Sequence, residues 1–309
     1  MDGLDAAITV LVGAIRAGTP LVFAALGELV TERSGVLNLG VEGMMLVGAV
    51  VGFMATVTTG NIYIGILAAV VAGMLMALIF GVLTLSLLTN QVATGLALTI
   101  FGVGLSAFLG IKYVGTPISG LKPLDIPFLT DIPILGPLVF GHDLLIYFSF
   151  VLFSAVAWFL YRSRAGLILR AVGESHDAAH ALGYPVIAIR YLAVLFGGAC
   201  AGLSGAYLSL VYTPQWAENM TAGRGWIALA LVVFATWRPG RAMAGAYLFG
   251  GITIMGLHVQ ALGFEVSSHL VATLPYLATI IVLALISRDA TKIRLNAPAS
   301  LGKPFHPSA

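Results

Sequence analysis

Charged side chains make up only 9% of this chain, against 59% for apolar ones. So few charges cannot cover a surface that faces water, because a soluble domain carries about 25% of them. Residues 62–87 contain no Asp, Glu, Lys or Arg at all, and about 20 apolar residues suffice to cross the hydrocarbon core as a helix. Backbone polar groups must satisfy one another there, which restricts a spanning chain to helices or closed barrels. The expected fold is therefore an all-α polytopic membrane protein. A single transmembrane domain over residues 1–309 would place about eight to ten membrane segments in the lipid bilayer. A net charge of +2 argues against a nucleic-acid partner. One cysteine, Cys200, sits in an apolar run; it excludes an internal disulfide and reads as packing filler. Met1–Asp5 carries no Lys or Arg, so no cleavable signal peptide is indicated.

The densest polar stretch is Gly27–Gly48, which holds Glu28, Glu32, Arg33, Asn38 and Glu42 among five glycines. Ionisable groups inside a membrane are costly, so they are read as functional or as facing a protein interior. Glycines let backbone leave the helix and let helices approach closely.

In chain order, residues 4–27 read as one kinked span, or as an amphipathic helix followed by a half-span, because Arg16, Thr19 and Pro20 interrupt them. Residues 28–35 are polar, and 36–59, 62–87 and 92–111 are apolar. Residues 112–142 are proline-rich (Pro117, Pro123, Pro127, Pro133, Pro137) and read as an extracytoplasmic loop. A span over 143–161 leads to the most basic loop, 162–190, with Arg162, Arg164, Arg170 and Arg190. The positive-inside bias makes that loop cytoplasmic, together with the tail 288–309 and its Arg288, Lys292, Arg294 and Lys303. Residues 191–212 span outward, and their Gly198-x-x-x-Gly202 and Ala201-x-x-x-Gly205 spacings suit close helix packing. Residues 213–225 then lie outside. Residues 226–237 are apolar but too few for a straight span, so they are expected to form a broken or re-entrant helix. Arg238-Pro239-Gly240-Arg241 makes a cytoplasmic turn, and 242–261 and 269–287 complete the spans.

An offset of 190 residues aligns Glu28-x-x-Thr31-x-x-x-Gly35 with Glu218-x-x-Thr221-x-x-x-Gly225, and Leu39 with Leu229. Internal repeats and broken helices together mark transporter folds. A parallel repeat would put 28–35 outside and the N-terminus inside.

Within the basic loop, Ser175 is a candidate N-cap and Asp177 suits the first turn. Gly183 is a candidate C′ residue with Pro185 just beyond. A two-turn helix between membrane spans, with Ala178, Ala179, Ala181 and Leu182 on it, is a shape that a partner's groove can grip. His176 and His180 stand four apart, but a zincin needs Glu after the first His and this chain has Asp177, so no metal is expected there. No P-loop motif and no G-x-S-x-G occur, so neither ATP binding nor hydrolase chemistry is expected of this chain.

These blocks resemble a known family. Gly27-Glu28 through Gly43-Met44-Met45 looks like the signature of permease subunits of bacterial ATP-binding cassette (ABC) importers. The nearest branch carries nucleosides (guanosine-type) and simple sugars; ribose and branched-chain amino acid permeases are more distant. Arg170–Ala179 with Leu182-Gly183 is similar to that family's cytoplasmic coupling segment. Thr221–Ala230, ending in Trp237–Gly240, matches a third block. Ser175-His176-Asp177 departs from the Asn-Pro that relatives more often carry after the Glu.

The resemblance implies a multi-pass protein of the bacterial inner membrane that performs no covalent chemistry. Gly173, Glu174, Ala178, Ala179, Leu182 and Gly183 would dock an ATPase subunit, which binds the ATP and Mg; this chain holds no cofactor. Asn38, Gly40, Glu42 and Trp226 would line the route of a nucleoside or related small polar solute. Glu42 could instead satisfy a salt bridge or helix end within the fold. A second permease would complete the pore as a heterodimer, and an extracytoplasmic binding protein or lipoprotein would deliver the solute. The rival reading is an ion-coupled secondary transporter that uses Glu28, Glu32 or Glu42 as ion sites.

Overall fold

The computed structural model describes residues 3–124, 127–130, 132–261, 273–274, 277–278, 280–281 and 296–306. Its helices are α1 (Gly3–Arg33), α2 (Val41–Thr59), α3 (Ile62–Gly81), α4 (Gln91–Gly110), α5 (Leu144–Arg162), α6 (Arg164–Glu174), α7 (His176–Ala181), α8 (Val186–Tyr207), α9 (Arg224–Phe234) and α10 (Pro239–Ala261). Wider π-type turns continue α3 to Ser86 and α8 to Tyr212. Six helices among the described residues are long and apolar enough to cross a membrane. The half-length α9 and the 23-residue α10 join them. The span expected over 269–287 lies largely outside the described residues, as do Arg288, Lys292 and Arg294.

Helix α8 is the hub, and its small residues make it so. A Cβ on Gly198 would collide with Ala77 and Gly73 of α3; one on Gly202 would meet Ala69 and Gly73; one on Gly205 would meet Met45 and Ala49 of α2. Both spacings seen in the sequence therefore bring backbones together, the second against a different helix. Gly27 of α1 packs on Cys200 in the same way, which leaves the lone thiol buried. Dispersion between closely packed helices stabilises such contacts where lipid offers no hydrophobic gain.

Of the two readings of residues 4–27, the single span holds rather than the amphipathic helix with a half-span, and the helix runs on through the polar residues to Arg33. Pro20 lies inside it, and from Thr19 to Ser34 every residue is buried. The polar stretch 28–35 is thus the buried end of α1 and the turn that closes it. Hydropathy alone treats Glu28, Glu32 and Arg33 as exposed, whereas the fold supplies them with polar partners.

Direction along the bundle follows from contacts. Thr31 donates to the Ala193 carbonyl (3.1 Å) and Ser204 to the Pro20 carbonyl (2.6 Å), so α1 runs antiparallel to α8. Gly35 sits against Gly173 and Arg190, at the end that holds the basic 162–190 segment. The start of α1 lies instead beside Pro133 and Pro137 of the proline-rich loop. With 162–190 cytoplasmic, 28–35 is therefore at the cytoplasmic end and α1 starts on the opposite side, the reverse of what the repeat implied. The repeat also lacks a structural counterpart. Residues 28–33 close a helix, whereas 218–223 are turn ahead of α9.

The proline-rich loop folds back on the outer end of α8. Ile118 N donates to the Pro214 carbonyl (3.2 Å) and Leu121 N to the Leu210 carbonyl (3.3 Å). Residues 112–124 and 213–216 thus share one end, as their common extracytoplasmic assignment requires.

Candidate functional site

Among the described residues two interruptions of helix lie within the bundle, and polar residues of the 27–48 stretch help to hold them. The first follows α1. Gly35, at φ +87°, ends the helix, with Gly35 N on the Glu32 carbonyl (2.8 Å) and Val36 N on the Thr31 carbonyl (3.4 Å); this is the Schellman pattern. Beyond it the backbone has left the helix, and its buried polar groups need other partners. Side chains supply them. Gln91 Oε1 accepts from Leu37 N (2.8 Å), Glu28 Oε1 from Asn38 N (3.2 Å) and Asn38 Oδ1 from Gly40 N (2.9 Å). Thr99 Oγ1 donates to the Leu39 carbonyl (2.9 Å).

The second interruption, residues 235–238, follows α9. Thr236 and Trp237 both adopt left-handed backbone, at φ +51° and +53°, a conformation that costs about 1 kcal/mol or more in a residue with a side chain. The surroundings hold it. Arg33 donates from Nε and Nη2 to the Trp237 carbonyl (3.3 and 3.0 Å), and the Trp237 indole donates to Glu32 Oε2 (2.5 Å). The last turn of α1 is thereby fastened to the break after α9.

The other end of α9 is held from α2. Gly223, its N-cap, has no side chain to cap with. Glu42 does this from a different helix. Its Oε1 accepts from Thr221 Oγ1 (2.5 Å) and Gly223 N (2.8 Å), and its Oε2 from Gly225 N (2.5 Å). A carboxylate on the free N–H groups of a helix start combines charge-assisted hydrogen bonding with a favourable dipole. Helix α9 is thus a short strut between Glu42 and the Glu32–Arg33 pair.

Each of the four residues expected along a solute route can now be placed. Asn38, Gly40 and Glu42 are buried in this junction and engaged in the fold's own hydrogen bonds. Trp226 is half-buried against the main core, one residue beyond Gly225. Sequence reasoning did not reach Gln91, Thr99 or Trp237 as holders of the breaks. Thr221 and Gly225 had been noticed, but for a repeat rather than for Glu42.

The basic 162–190 segment contains two helices ahead of α8 rather than one. Ser163 caps α6, accepting from Gly166 N (2.9 Å). Ser175 caps α7, accepting from Ala178 N (3.3 Å). Gly183 (φ +86°) and Tyr184 close α7 in a second Schellman pattern, with bonds to the His180 and Ala179 carbonyls. The expected coupling residues divide by face. Glu174, Ala178, Leu182 and Gly183 are exposed, Leu182 at 77%. Ala179 is buried against Val172, Val186 and Phe305. Gly173 is buried too, and a Cβ there would strike the Arg33 carbonyl.

The described part of the tail forms a strap over this inner face. Ser300 N donates to the Gly173 carbonyl (2.9 Å), Ser300 Oγ to the Glu174 carbonyl (3.2 Å) and Gly302 N to the Gly35 carbonyl (3.1 Å). Buried Arg190 joins the Ser34 and Lys303 carbonyls (both 3.2 Å) and His176 Nδ1 (3.3 Å). His176 and His180 flank the Phe305 ring, with centroids 5.2 and 5.3 Å away, which accounts for their i, i+4 spacing. Burial, and then the neighbouring Arg190, push the His176 pKa below its ordinary value.

Apolar spans interrupted by buried breaks, with a capped helix exposed at one end, are features that membrane transport proteins share. The chain belongs to the family described as branched-chain amino acid transport system / permease component, whose model matches residues 10–286. It is 41% identical to a putative glucose ABC transporter permease protein of Haloferax volcanii, over 93% of this chain and 94% of that one. It is 32% identical to a nucleoside ABC transporter permease protein of Lactococcus lactis (86% and 88% covered) and 30% identical to a guanosine ABC transporter permease protein of Bacillus subtilis (93% and 92%). No solved structure matches it. It is a multi-pass protein of the cell membrane and a permease component.

Proposed function

We propose that this chain is the transmembrane subunit of an ABC importer for a nucleoside, a simple sugar or a related small polar solute. The relatives' names support that solute class. In this reading the exposed face of α7, with Ala178, Leu182 and Gly183, docks an ATPase subunit that binds ATP and Mg. A second permease completes the pore, and an external binding protein supplies the solute. The observation that carries the proposal is mechanical. Helix α7 is joined through His176 and Arg190 to the Ser34 carbonyl, the end of α6 is joined through Ser300 and Gly302 to Gly35, and α1 is joined through Arg33 to the break after α9. A partner that pushes on α7 therefore acts on the interrupted helices. Hydrolysis in that partner would shift the balance between outward- and inward-facing states.

The test is purification from the native membrane in mild detergent, with co-purifying chains identified by mass spectrometry and uptake measured after reconstitution. Recovery with a P-loop ATPase and a second permease, and uptake that requires ATP, is the expected result. A chain recovered alone and driven by an ion gradient would refute the proposal.

A further inference from the structure

Arg33, Arg170, Arg238 and Arg241 line one open cleft of about 630 Å³ at the cytoplasmic end, together with Tyr161 and Glu174. Four guanidiniums there face one carboxylate. None of the four makes a salt bridge among the described residues. Arg33 is engaged with the Trp237 and Asn296 carbonyls, and Arg241 with Thr236 Oγ1 (2.9 Å). Arg170 lies over the Tyr161 ring, 5.6 Å from its centroid, and its buried Nε has no hydrogen-bond partner. Arg238 is exposed. Pro239 and Gly240 border the same cleft, so the first turn of the 23-residue α10 adds the positive end of its dipole, although its Arg241 and Ala242 N–H groups are taken by the Arg238 carbonyl. A Cβ at Gly240 would meet nothing within 4 Å, so there is room for a ligand.

This is the chemistry of a phosphate site: planar guanidiniums that bind oxygens in pairs, and a helix start. Its depth indicates the source of the phosphate. Trp158 and Tyr161, 63% and 47% exposed at the end of α5, are placed as interfacial aromatics. Helix α6 alternates exposed Leu167 with Arg164 and Arg170 around a buried face, as a helix lying in the interface does. The cleft opens at headgroup level, where basic pockets between membrane helices take acidic headgroups. We infer that it binds the phosphate of an anionic phospholipid.

The complex is reconstituted in nanodiscs of phosphatidylethanolamine with phosphatidylglycerol and cardiolipin, then re-extracted, and the retained lipid is quantified by mass spectrometry. Wild type is expected to retain anionic lipid above its share in the bilayer. Arg170→Gln with Arg238→Gln should lower that enrichment by about fivefold for each arginine removed. Gly240→Asp places a like charge in the cleft, suits the helix dipole and should abolish the enrichment without loosening α10. Arg164→Gln, on the same surface but outside the cleft, should retain it. The inference fails if the cleft variants retain lipid as wild type does, or if Arg164→Gln loses as much as they do. Millimolar inorganic phosphate should not displace the lipid; displacement with phosphate bound in its place would assign the cleft to a soluble anion and overturn the lipid reading.

Discussion

Replacing Glu42 with alanine removes one acceptor for three donors. Thr221 is fully buried, Gly225 is buried and Gly223 is half-buried, so water cannot replace the carboxylate at all three. Each buried donor left unsatisfied costs about 1–3 kcal/mol, and hydrogen bonds to a charged group lie at the upper end. The Thr221 hydroxyl can rotate to another acceptor, which leaves the Gly223 and Gly225 N–H groups as the main cost, about 3–5 kcal/mol with the hydroxyl included. At about 2–4 °C per kcal/mol for a chain of this size, Tm should fall on the order of 10 °C. Glu42→Gln keeps one acceptor oxygen but turns an amide NH2 towards a second donor, so its loss should be smaller, about 1–3 kcal/mol. Cys200 provides the assay. It is the single cysteine and it is buried, so a thiol-reactive fluorophore reports opening of the bundle during a temperature ramp. Thr221→Val should lower Tm less than Glu42→Ala does, and the two together should lower it by less than their sum, because they break the same bond. A Glu42→Ala protein that melts with wild type yet no longer transports would refute this reasoning and return Glu42 to the solute route.

The two faces of α7 should respond differently. Leu182→Arg, on the exposed face, should leave Tm nearly unchanged and abolish stimulation of the partner ATPase. Ala179→Phe should instead overpack the Phe305 contact at a cost of about 1–3 kcal/mol and expose 296–306 to protease; the reverse pattern would overturn the division of faces. Trp237→Phe removes the indole donor to Glu32 and should cost about 1–3 kcal/mol, read in the same thiol assay. The strap should also loosen in acid. The His176 pKa is lower in the folded chain than the ordinary 6.5, so below that pH the unfolded state takes up the proton first. Its contribution to stability is complete above about pH 6.5 and is lost as pH falls through the folded value. Amide exchange at 296–306 should therefore rise between neutral pH and pH 5 beyond the intrinsic pH trend, and His176→Gln should remove the excess.

Much of this architecture is legible in composition and local chemistry. The apolar runs at 36–59, 62–87, 92–111, 143–161 and 191–212 correspond to α2, α3, α4, α5 and α8. Ser175 and Gly183 mark the two ends of α7 because N-capping and left-handed closure are decided by residues adjacent in sequence. The shortness of 226–237 is likewise enough to imply the half-helix α9. What the chain conceals is long-range. Glu28 and Glu32 stand in the sequence as costly charges open to a structural or an ion-binding reading until Asn38 N and the Trp237 indole, 10 and 205 residues away, are brought to them. The orientation of α1 was misread from a short similarity between a helix end and a turn. Phe305 and Ser300 lie in a polar tail that carries no periodicity, and nothing local shows that they cover α7.

The polar cluster in the 27–48 stretch therefore has a different meaning from the one its cost suggests. An intramembrane carboxylate is by default assigned to substrate or ion, yet Glu42 is matched donor for donor by the start of α9, and Arg33 and one oxygen of Glu32 are engaged by the break that ends it. The break itself contains Thr236 and Trp237 in left-handed backbone, which persists only while its neighbours hold it. The arrangement is a short helix of about 16 Å (11 residues at 1.5 Å each) fastened at one end to α2 and at the other to α1. Because packed interfaces switch between discrete arrangements rather than deform continuously, a displacement of the end of α1 relative to α2 must either carry α9 as a rigid piece or release one of its two fastenings. The end of α1 is also where Arg190 attaches α7 through His176 and where the strap attaches the end of α6. The charges in this stretch are thus placed where a load applied at α7 would be transmitted to the half-length α9, and the Glu42 and Trp237 substitutions separate its two ends.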